Sequence, residues 1–474
     1  MNSIPHHARE EFADWLSWRL DGLLRARQPA RAPGLLSITL DLPGFSLRGV
    51  PRLQEGDFYW AHPEGGNRLL GRGLALAHRC SGADRLDGLS RHFRHARAHW
   101  RHMDPDGSAV QPLMFTGFAF DPADPMGGPW QGFPNSGLFV PELLLRQHRD
   151  ACHLVLSCRD GLLDVRRQVA RWLELVGPVL DHEPERGSRR RSFRNPGGEP
   201  VPADAEWLAL GRGALEAIER GLVRKLVLYR RVRLGASAEI SVRSLAAAME
   251  TAYPGCRLFA VVRNGRTLVS ASPERLIEKR GRQVLSDVLA GTAPRSRDAL
   301  RDSRLAQSLC DSDKNRLEHR LVEDAVAAAL APLCTEIQAG TTPRVQRLRN
   351  VQHLWNEVRG VLRGSENLLD VAARLHPTPA VNGSPGPAAL DWLRRHGQAR
   401  RGWYCGGGGW IDRNGDGELS VLLRCALVQD GQADLFAGAG LVFGSEPAAE
   451  LEETELKLVA VLDALGNARG QGLV

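Results

Sequence analysis

The first part of the chain consists mainly of short apolar runs separated by clusters of proline and glycine. Runs of this kind, bounded by turn signals, are typical of β-strands. The basic stretch 185–202 is rich in proline and glycine and predicts either a linker or an exposed loop. We therefore predict a mixed sheet with strands at 35–42, 68–78, 114–122 and 153–158, followed by a helix at 162–175.

The second part alternates helical and strand patterns more regularly. The pair Asn264-Gly265 between two apolar runs predicts a tight hairpin turn. A long helical pattern at 303–333 is expected to break near Asp311. The other predictions are helices at 206–220, 241–251, 367–374 and 385–396, strands at 225–234 and 345–362, and a closing antiparallel set at 402–411, 418–428 and 433–443.

The segment 435–457 has the pattern that most suggests chemistry. A short strand is predicted to open into a glycine-rich turn, Gly438-Ala439-Gly440, and then to enter a helix with Pro447 in its first turn. Backbone N–H groups beside a charged helix face are suited to binding a small anion. The alternative is a solvated helix face with intrahelical ion pairs. The charged residues that share this face are Glu450, Glu453 and Lys457.

Two further motifs predict structure and no chemistry. The run 412–418 begins like a calcium-binding loop, but its twelfth position is Leu423 where a bidentate glutamate is needed. We predict a hairpin turn there. The four glycines at 406–409 lack the strand-to-helix context and the lysine of a phosphate-binding loop, so we expect them to allow close approach to the backbone.

Composition and charge describe an ordinary globular protein. The 474 residues are 43% hydrophobic and 25% charged, and the length alone would suggest two or three domains. Neither aromatic platforms nor a known reading module accompanies the basic residues, so nucleic acid is not expected as a partner. A dianionic small substrate would equally suit the excess of positive charge. Part of the net charge of +7 comes from Arg186, Arg189, Arg190, Arg191 and Arg194.

The sequence also bears on the compartment. It shows no secretory signal pattern and no apolar run long enough for a membrane helix. Its eight cysteines are scattered without a C-x-x-C pair, which argues against a zinc site and against a disulfide framework. We therefore expect a cytoplasmic protein with reduced thiols and no membrane attachment.

A series of motifs resembles those of the chorismate-utilising enzymes, the family of isochorismate, salicylate, anthranilate and aminodeoxychorismate synthases. The most specific are LHPTPAV at 375–381 and the E-x-x-E-T-x-x-K pattern at 450–457. The resemblance extends over nearly the full chain. The other motifs are KLVLYR (225–230), SASPERL (270–276), LAGTAPR (289–295), DKNRLEH (313–319), NVQHLWNEVRG (350–360), RGWYCGGGGW (401–410), VLLRCA (421–426) and AGAGLVFGSEP (437–447).

The resemblance implies an α/β (α+β) fold of the anthranilate synthase component I type. In this fold one large domain has β-sheets packed face to face and flanked by helices, with the active site between them. Residues 1–200 would form the N-terminal part of the chorismate-binding fold and 201–474 its catalytic region. This implication replaces the division near residue 190 that length and composition suggest.

The resemblance also implies a pair of proton-transfer groups. Water adds at C2 of chorismate while the C4 hydroxyl leaves, which requires a base and an acid. Lys225 matches the family's base, and it must be neutral to act. Glu274 matches the acid, and it must stay protonated near neutral pH in an apolar, partly dry pocket. The alternatives are a surface lysine at a strand start and a helix cap after Ser-Pro.

Glu318 and Glu453 match the family's magnesium ligands, so Mg²⁺ is the expected cofactor. Mg²⁺ favours a couple of carboxylates together with water and substrate oxygens. Glu450 would be a supporting carboxylate. Asn315 stands where the family usually has an acidic residue, and this departure is expected to weaken metal affinity without abolishing it.

The remaining implied residues would hold the substrate. Arg424 and Lys457 match the carboxylate clamps, and an arginine fork can bind two carboxylate oxygens at once. For His353 the alternative is a buried histidine with a structural partner. The full substrate-binding set implied by the resemblance is Gly291, Thr292, His353, Tyr404, Arg424, Gly438, Gly440 and Lys457.

The leading hypothesis is a magnesium-dependent isochorismate synthase that feeds menaquinone or siderophore biosynthesis. A salicylate synthase, which also eliminates pyruvate, shares the same base, acid and metal residues and remains open. An aminating synthase is disfavoured by Lys225, and aminodeoxychorismate synthases place a lysine where this chain has Ala290. No amidotransferase subunit is therefore expected, and the expected assembly is a monomer or a weak homodimer. A non-catalytic basic protein would leave the motifs unexplained.

Overall fold

The structure is a computed structural model that describes residues 6–27, 33–47, 49–161, 163–180, 198–235, 240–340 and 342–466. The five arginines of the 185–202 stretch lie outside the described residues, as does Leu162 at the start of one predicted helix. Among the described residues, no helix is both long enough and apolar enough to cross a membrane.

The helices of the described residues are α1 (His6–Ala26), α2 (Arg85–Ala98), α3 (Val165–Leu180), α4 (Asp204–Glu219), α5 (Val242–Ala252), α6 (Ala299–Asp311), α7 (Asp313–Leu330), α8 (Leu368–Leu375), α9 (Gly386–Arg395) and α10 (Pro447–Ala464). The strands are β1 (Gly34–Asp41), β2 (Phe58–His62), β3 (Asn67–Arg72), β4 (Leu76–Cys80), β5 (Trp100–Met103), β6 (Leu113–Phe118), β7 (Ser136–Val140), β8 (Leu143–His148), β9 (Ala151–Asp160), β10 (Glu199–Val201), β11 (Lys225–Gly235), β12 (Arg257–Arg263), β13 (Arg266–Ser272), β14 (Arg275–Arg280), β15 (Gln283–Pro294), β16 (Cys334–Ala339), β17 (Arg344–Arg347), β18 (Val351–Leu362), β19 (Gly383–Ser384), β20 (Gly407–Asp412), β21 (Gly417–Val421), β22 (Cys425–Gln429) and β23 (Gln432–Val442).

Two large sheets form the centre of the molecule. In the part of the chain that the structure describes, one sheet has 13 strands in the order β10-β11-β23-β22-β13-β12-β2-β3-β8-β9-β1-β5, with β19 beside β11. The other has 10 strands in the order β16-β18-β15-β14-β21-β20-β6-β7-β4, with β17 beside β18. Both sheets combine strands from before and after residue 200, so neither half of the chain completes a sheet by itself.

The sheets pack face to face across an aromatic layer. Phe58 on β2 of the larger sheet stacks on Phe115 on β6 of the smaller sheet, with ring centroids 5.0 Å apart. A second apolar cluster covers the other face of the larger sheet, where Leu20 of α1, Trp172 of α3 and Met249 of α5 are fully buried. The family resemblance predicted this α/β arrangement of packed sheets with flanking helices, and the prediction is confirmed.

Local sequence signals explain several element boundaries. Ser241 caps α5 by accepting a hydrogen bond from the Ser244 N–H, and Ser312 caps α7 in the same way at Asn315. Ser312 thereby separates α6 from α7, so the predicted break near Asp311 is confirmed. The Asn264-Gly265 turn is also confirmed, since both residues adopt the positive φ that a tight hairpin needs.

The glycine run at 406–409 allows close backbone approach, as predicted. A Cβ added at Gly406 would lie 1.9 Å from the carbonyl oxygen of Phe118, and one at Gly409 would lie 2.0 Å from that of Glu418. The turn at 412–418 joins β20 to β21, so the hairpin prediction for this run is also correct.

Three sequence predictions were wrong in detail. The run 68–78 is two strands, because the chain turns at Gly73 with φ +69° and β3 and β4 join different sheets. The run at 345–362 is likewise divided into β17 and β18, which pair with each other. Gly438-Ala439-Gly440 is not a turn: it continues β23, where Gly438 lies opposite Tyr229 and Gly440 opposite Val227.

Candidate active site

A pocket between the two sheets brings most of the predicted site residues together. It encloses about 730 Å³ including its open mouth. The smaller sheet contributes β15 and the segment before β14, the larger sheet contributes β23, and α7 and α10 add charged side chains. The predicted residues that line it are Glu274, Gly291, Thr292, Glu318, His353, Tyr404, Arg424, Gly438, Gly440, Glu453 and Lys457.

Lys225, the predicted base, lies directly behind this lining. It begins β11 and is fully buried. Its Nζ lies 2.9 Å from Oε1 of Glu318 on α7, which itself lines the pocket. Although burial acts to raise the pKa of Glu318, the positive charges of Lys225 and Lys314 outweigh it and lower that pKa. Glu318 is therefore held as a carboxylate.

Gly440 makes room for this ion pair. A Cβ added at Gly440 would lie 2.4 Å from Oε1 of Glu318 and 3.0 Å from Cε of Lys225. The first distance is shorter than real Cβ atoms show and the second is tight, so a side chain here would displace the Glu318 carboxylate or the Lys225 side chain. The glycine that the sequence suggested for anion binding thus has a steric role beside Lys225 and Glu318.

Glu274, the predicted acid, has a different environment. It precedes β14, where its N–H is donated to the Ser272 hydroxyl and its C=O accepts a hydrogen bond from the Val421 N–H. Its side chain is buried. Burial, followed by the negative charge of Asp287, raises the pKa of Glu274 to about 8, while Lys225 and Lys457 oppose the shift. The carboxyl is therefore protonated near neutral pH, as an acid must be.

The charged face of α10 is engaged in the site. Lys457 donates a hydrogen bond to the Gly438 carbonyl oxygen at 2.9 Å and pairs with Glu453 at 2.6 Å. Glu450 forms an ion pair with Lys314 of α7 and accepts a hydrogen bond from the Ser445 hydroxyl. Burial, together with the negative charge of Glu453, raises the pKa of Glu450 to about 7. The helix face that could have been merely solvated instead places Glu453 and Lys457 in the pocket lining and buries Glu450.

His353 and Arg424 form a hydrogen-bonded unit. An arginine nitrogen can only donate, so Nε2 of His353 accepts from Nη2 of Arg424 at 3.1 Å. The ring proton is then on Nδ1, which lies 3.3 Å from the Gly291 carbonyl oxygen and 3.2 Å from the Thr292 hydroxyl. Burial and the Arg424 charge lower the pKa of His353 well below its ordinary value, which keeps the ring neutral.

Arg424 retains a free donor. Nη1 of Arg424 is buried, and no oxygen or nitrogen atom of the described residues accepts a hydrogen bond from it, although the Cys256 thiol lies within its range. A buried donor without a partner is costly, and an incoming carboxylate would satisfy it. The residue holds an unusual positive φ of 49° directly before β22, which aims its side chain from that strand end.

The 290–292 bulge and Tyr404 complete the lining. The pairing register of β15 with β18 shifts between Ala290 and Thr292, and Gly291 adopts a φ of +79° at this bulge. A Cβ at Gly291 would lie 3.1 Å from Cβ of Asn315, so Asn315 packs behind the bulge and does not line the pocket. The Tyr404 ring stacks on Phe436 at 5.3 Å.

The residues present fit a magnesium ion in the chemistry of their donors. Glu318 and Glu453 both face the pocket, and Glu450 is close enough to both for their charges to raise its pKa. Carboxylate oxygens are the hard ligands that Mg²⁺ prefers, and their mutual repulsion is relieved by a cation. Among the described residues, no group of three or more His, Cys, Asp or Glu side chains is arranged to hold a metal ion by itself, so water and substrate oxygens would have to complete the coordination.

Sequence reasoning missed Lys314 as a site residue. It pairs with Glu450, and the charges of Glu318 and Glu453 also act on it. Its position in the DKNRLEH motif, one turn before Glu318, was a usable signal. The apolar lining by Leu289 and Phe436 was also missed, because apolar residues in strands give no signal that separates pocket walls from core.

Comparison with known proteins identifies the family. A family model described as chorismate binding enzyme matches residues 23–466. The fold and the pocket therefore belong to a class of enzymes that share chorismate as their ligand. The chain is a member of these chorismate-binding enzymes. The family resemblance drawn from the motifs is confirmed.

Individual relatives cover most of the chain. Isochorismate synthase MenF of Bacillus subtilis is 30% identical over 453 residues, which are 91% of this chain and 92% of that protein. The salicylate biosynthesis isochorismate synthase of Pseudomonas aeruginosa is 35% identical over 424 residues, covering 87% and 85%. The solved structure of MenF, the menaquinone-specific isochorismate synthase of Escherichia coli, has a TM-score of 0.76 at 25% identity and covers 95% of this chain and 99% of that chain.

Proposed function

We propose that this enzyme is an isochorismate synthase, which adds water at C2 of chorismate as the C4 hydroxyl leaves. The observation that carries the proposal is the pair of proton-transfer groups at one pocket. Lys225 is a buried amine beside Glu318, and Glu274 is a buried carboxyl that is protonated near neutral pH. Named relatives at 30% and 35% identity are isochorismate synthases.

The proton balance of the reaction assigns one role to each group. When its amine is neutral, Lys225 accepts a proton from the attacking water, whose oxygen bonds to C2, and it becomes the ammonium that pairs with Glu318. The ring double bonds shift, the C4–O bond breaks, and Glu274 gives its proton to the departing oxygen. Water is consumed and released, so the product is an isomer of the substrate.

The two carboxylates of chorismate would be bound by cationic groups in the pocket. The free Nη1 donor of Arg424 and the ammonium of Lys457 are the groups placed for them. A Mg²⁺ ion, when bound by Glu318 and Glu453 with Glu450 in support, would supply positive charge for a substrate carboxylate. Tyr404 and the Gly291–Thr292 bulge would line the ring.

The wider proposals follow from the same reaction. Water as the nucleophile removes the need for an amidotransferase subunit, so the enzyme would work as a monomer or a weak homodimer. Its compartment would be the cytoplasm. The product would enter menaquinone or siderophore biosynthesis; one similar solved structure is described as menaquinone-specific, and one similar relative as vibriobactin-specific.

Product analysis tests the proposal. Purified enzyme is incubated with chorismate and Mg²⁺ without ammonia, and products are separated by chromatography and weighed by mass spectrometry. An isomer of chorismate that disappears on chelation is the expected result. Salicylate with pyruvate would instead assign a salicylate synthase. Turnover that requires ammonia would contradict the role given to Lys225.

A further inference from the structure

We propose that Asp287, buried behind Glu274, is a positioning residue that anchors the Glu274–Arg275 peptide and keeps the Glu274 carboxyl in its acid form. The inference deepens the proposed function and rests on it for the role of Glu274. Asp287 does not line the pocket, so it acts on the reaction only through its neighbour.

The first argument is the geometry of the anchor. Oδ2 of Asp287 accepts the Arg275 backbone N–H at 3.0 Å, and Oδ1 accepts from Arg275 Nη2 at 3.2 Å. The accepted N–H belongs to the peptide bond that joins Glu274 to Arg275. Ser286, which precedes Asp287 on β15, also donates a hydrogen bond from its hydroxyl to the Leu276 carbonyl oxygen at 2.8 Å. Adjacent residues of β15 therefore fix the chain just after Glu274.

The second argument is the charge that this anchor brings close to Glu274. The groups that act on the Glu274 carboxyl are Asp287 from β15, Lys225 from β11 and Lys457 from α10, and the Cys405 thiol is also within electrostatic range. Of these, Asp287 is the carboxylate. It disfavours a second negative charge beside it, whereas the two lysines favour ionisation.

Arg275 favours the ionised form of Asp287, although burial leaves the pKa of Asp287 above its ordinary value. Burial raises the pKa of Asp287, and the charges of Arg275 and Arg257 oppose that effect. Arg275 also contacts Glu278 and Glu357, and Glu357 lies directly opposite Asp287 in the β15–β18 register. Glu357 thus shares the same arginine but is not among the charges that shift the pKa of Glu274, which makes it the matched control.

The first experiment compares pH profiles of kcat for wild type, Asp287→Asn and Glu357→Gln. The asparagine oxygen can still accept the Arg275 N–H, while the charge is lost. We expect the alkaline limb, where Glu274 loses its proton, to shift to lower pH by about one unit in D287N. E357Q should keep the wild-type limb. A D287N profile that is lowered uniformly without a shift would show a merely structural role and overturn the proposal.

A second readout does not depend on the reaction. Melting temperatures are measured from pH 5 to pH 9 for wild type, E274Q, D287N and the double variant. The difference between each parent and its E274Q derivative reports the cost of ionising Glu274. This difference should grow with pH in the wild-type background and grow less in the D287N background. Equal growth in both backgrounds would overturn the proposal even if the wild-type enzyme made no isochorismate.

Two more variants guard against a folding defect in D287N. Asp287→Ser is neutral and smaller, and its hydroxyl can also accept the Arg275 N–H, so it should show the same shifted limb. Asp287→Glu keeps the negative charge and should restore a limb close to that of the wild type. A shifted limb in D287E, or an unshifted one in D287S, would contradict the electrostatic account.

Discussion

Two buried glutamates of the same pocket have opposite environments. Glu318 pairs with the Lys225 amine at 2.9 Å, and nearby lysines lower its pKa in spite of burial. Glu274 lies near Asp287, and burial with that negative charge raises its pKa to about 8. The same side chain is thus a carboxylate in one wall of the pocket and a carboxylic acid in the other.

The difference teaches that partners, and not burial alone, determine what a carboxyl can do. A carboxylate with compensating cations can bind a metal or pair with a base, but it cannot donate a proton. A carboxyl kept neutral by a dry site and a like charge can donate one. The predictions below test whether this contrast sets the roles of the two sides of the pocket.

The largest effect is expected from removing the base. Lys225→Gln should lower kcat/KM for chorismate by about 10²–10⁴-fold, because the attacking water loses its proton acceptor. It should also reduce stability by about 3–5 kcal/mol, because Glu318 remains buried and unpaired. Chromatographic product assays and urea denaturation measure the two effects.

Lys279→Gln is the matched control for this variant. Lys279 is also a buried lysine paired with a carboxylate, Asp416, at 2.6 Å, but it does not line the pocket. The K279Q variant should be less stable to urea than the wild type and should keep its turnover of chorismate. Wild-type turnover in K225Q, or equal losses of turnover in both variants, would contradict a base role for Lys225.

Glu274→Gln and Glu318→Gln should differ most in their stability at alkaline pH. The folded-state pKa of Glu274 is raised, so wild-type stability falls as pH rises from about 4.5 to about 8, and E274Q removes that loss. The folded-state pKa of Glu318 is lowered, so the ionised side chain stabilises the fold at pH values above its unfolded-state pKa. E318Q removes this stabilisation.

Melting temperatures at pH 9 should therefore rise in E274Q and fall in E318Q relative to wild type. Both variants should lose turnover, E274Q by about 10²-fold or more. Stability changes of the same sign in the two variants would show that the two environments do not differ as described.

Gly440→Ala should have a smaller but clear effect. The added Cβ would displace Glu318 or Lys225, and a displacement on this scale costs about 10²-fold in rate. Gly235→Ala is the control on the same strand pair, because a Cβ there meets nothing within 4 Å. Unchanged kinetics in G440A would mean that the pocket tolerates a shift of the ion pair.

The smallest effect is expected at His353. His353→Phe removes the acceptor that orients Arg424, so KM for chorismate should rise by about 10-fold with little change in kcat. Since the ring is neutral throughout the working range, the wild-type pH profile should have no limb from His353. A large loss of kcat with an unchanged KM would instead indicate that His353 takes part in proton transfer.

Motif residues predicted much of this site, because the resemblance to the family assigns roles to particular motif positions. Eleven of the predicted residues line one pocket, and Lys225 lies behind it. Glu450 and Asn315, predicted as supporting residues, lie outside the lining, at Lys314 and behind Gly291. The catalytic, metal and binding roles of these residues stay predictions until the variants are measured.

Long-range pairing was the part that local patterns could not provide. The glycines at 438 and 440 suggested a turn because glycine is common in turns, but β11 pairs along them and makes them strand residues. In the same way, one apolar run at 68–78 became strands of two sheets. The environments of Glu274 and Glu318 also depend on Asp287 of β15 and Lys225 of β11, which only the folded chain brings close to them.

The protonation states of the two glutamates at neutral pH test the central claim most directly. Infrared spectra of wild type, E274Q and E318Q in ²H₂O distinguish a protonated carboxyl from a carboxylate. The wild-type minus E274Q difference should contain the carbonyl band of a protonated acid, and the wild-type minus E318Q difference a carboxylate band. A carboxylate band in the E274Q difference would contradict the account, because Glu274 would then have no proton to give.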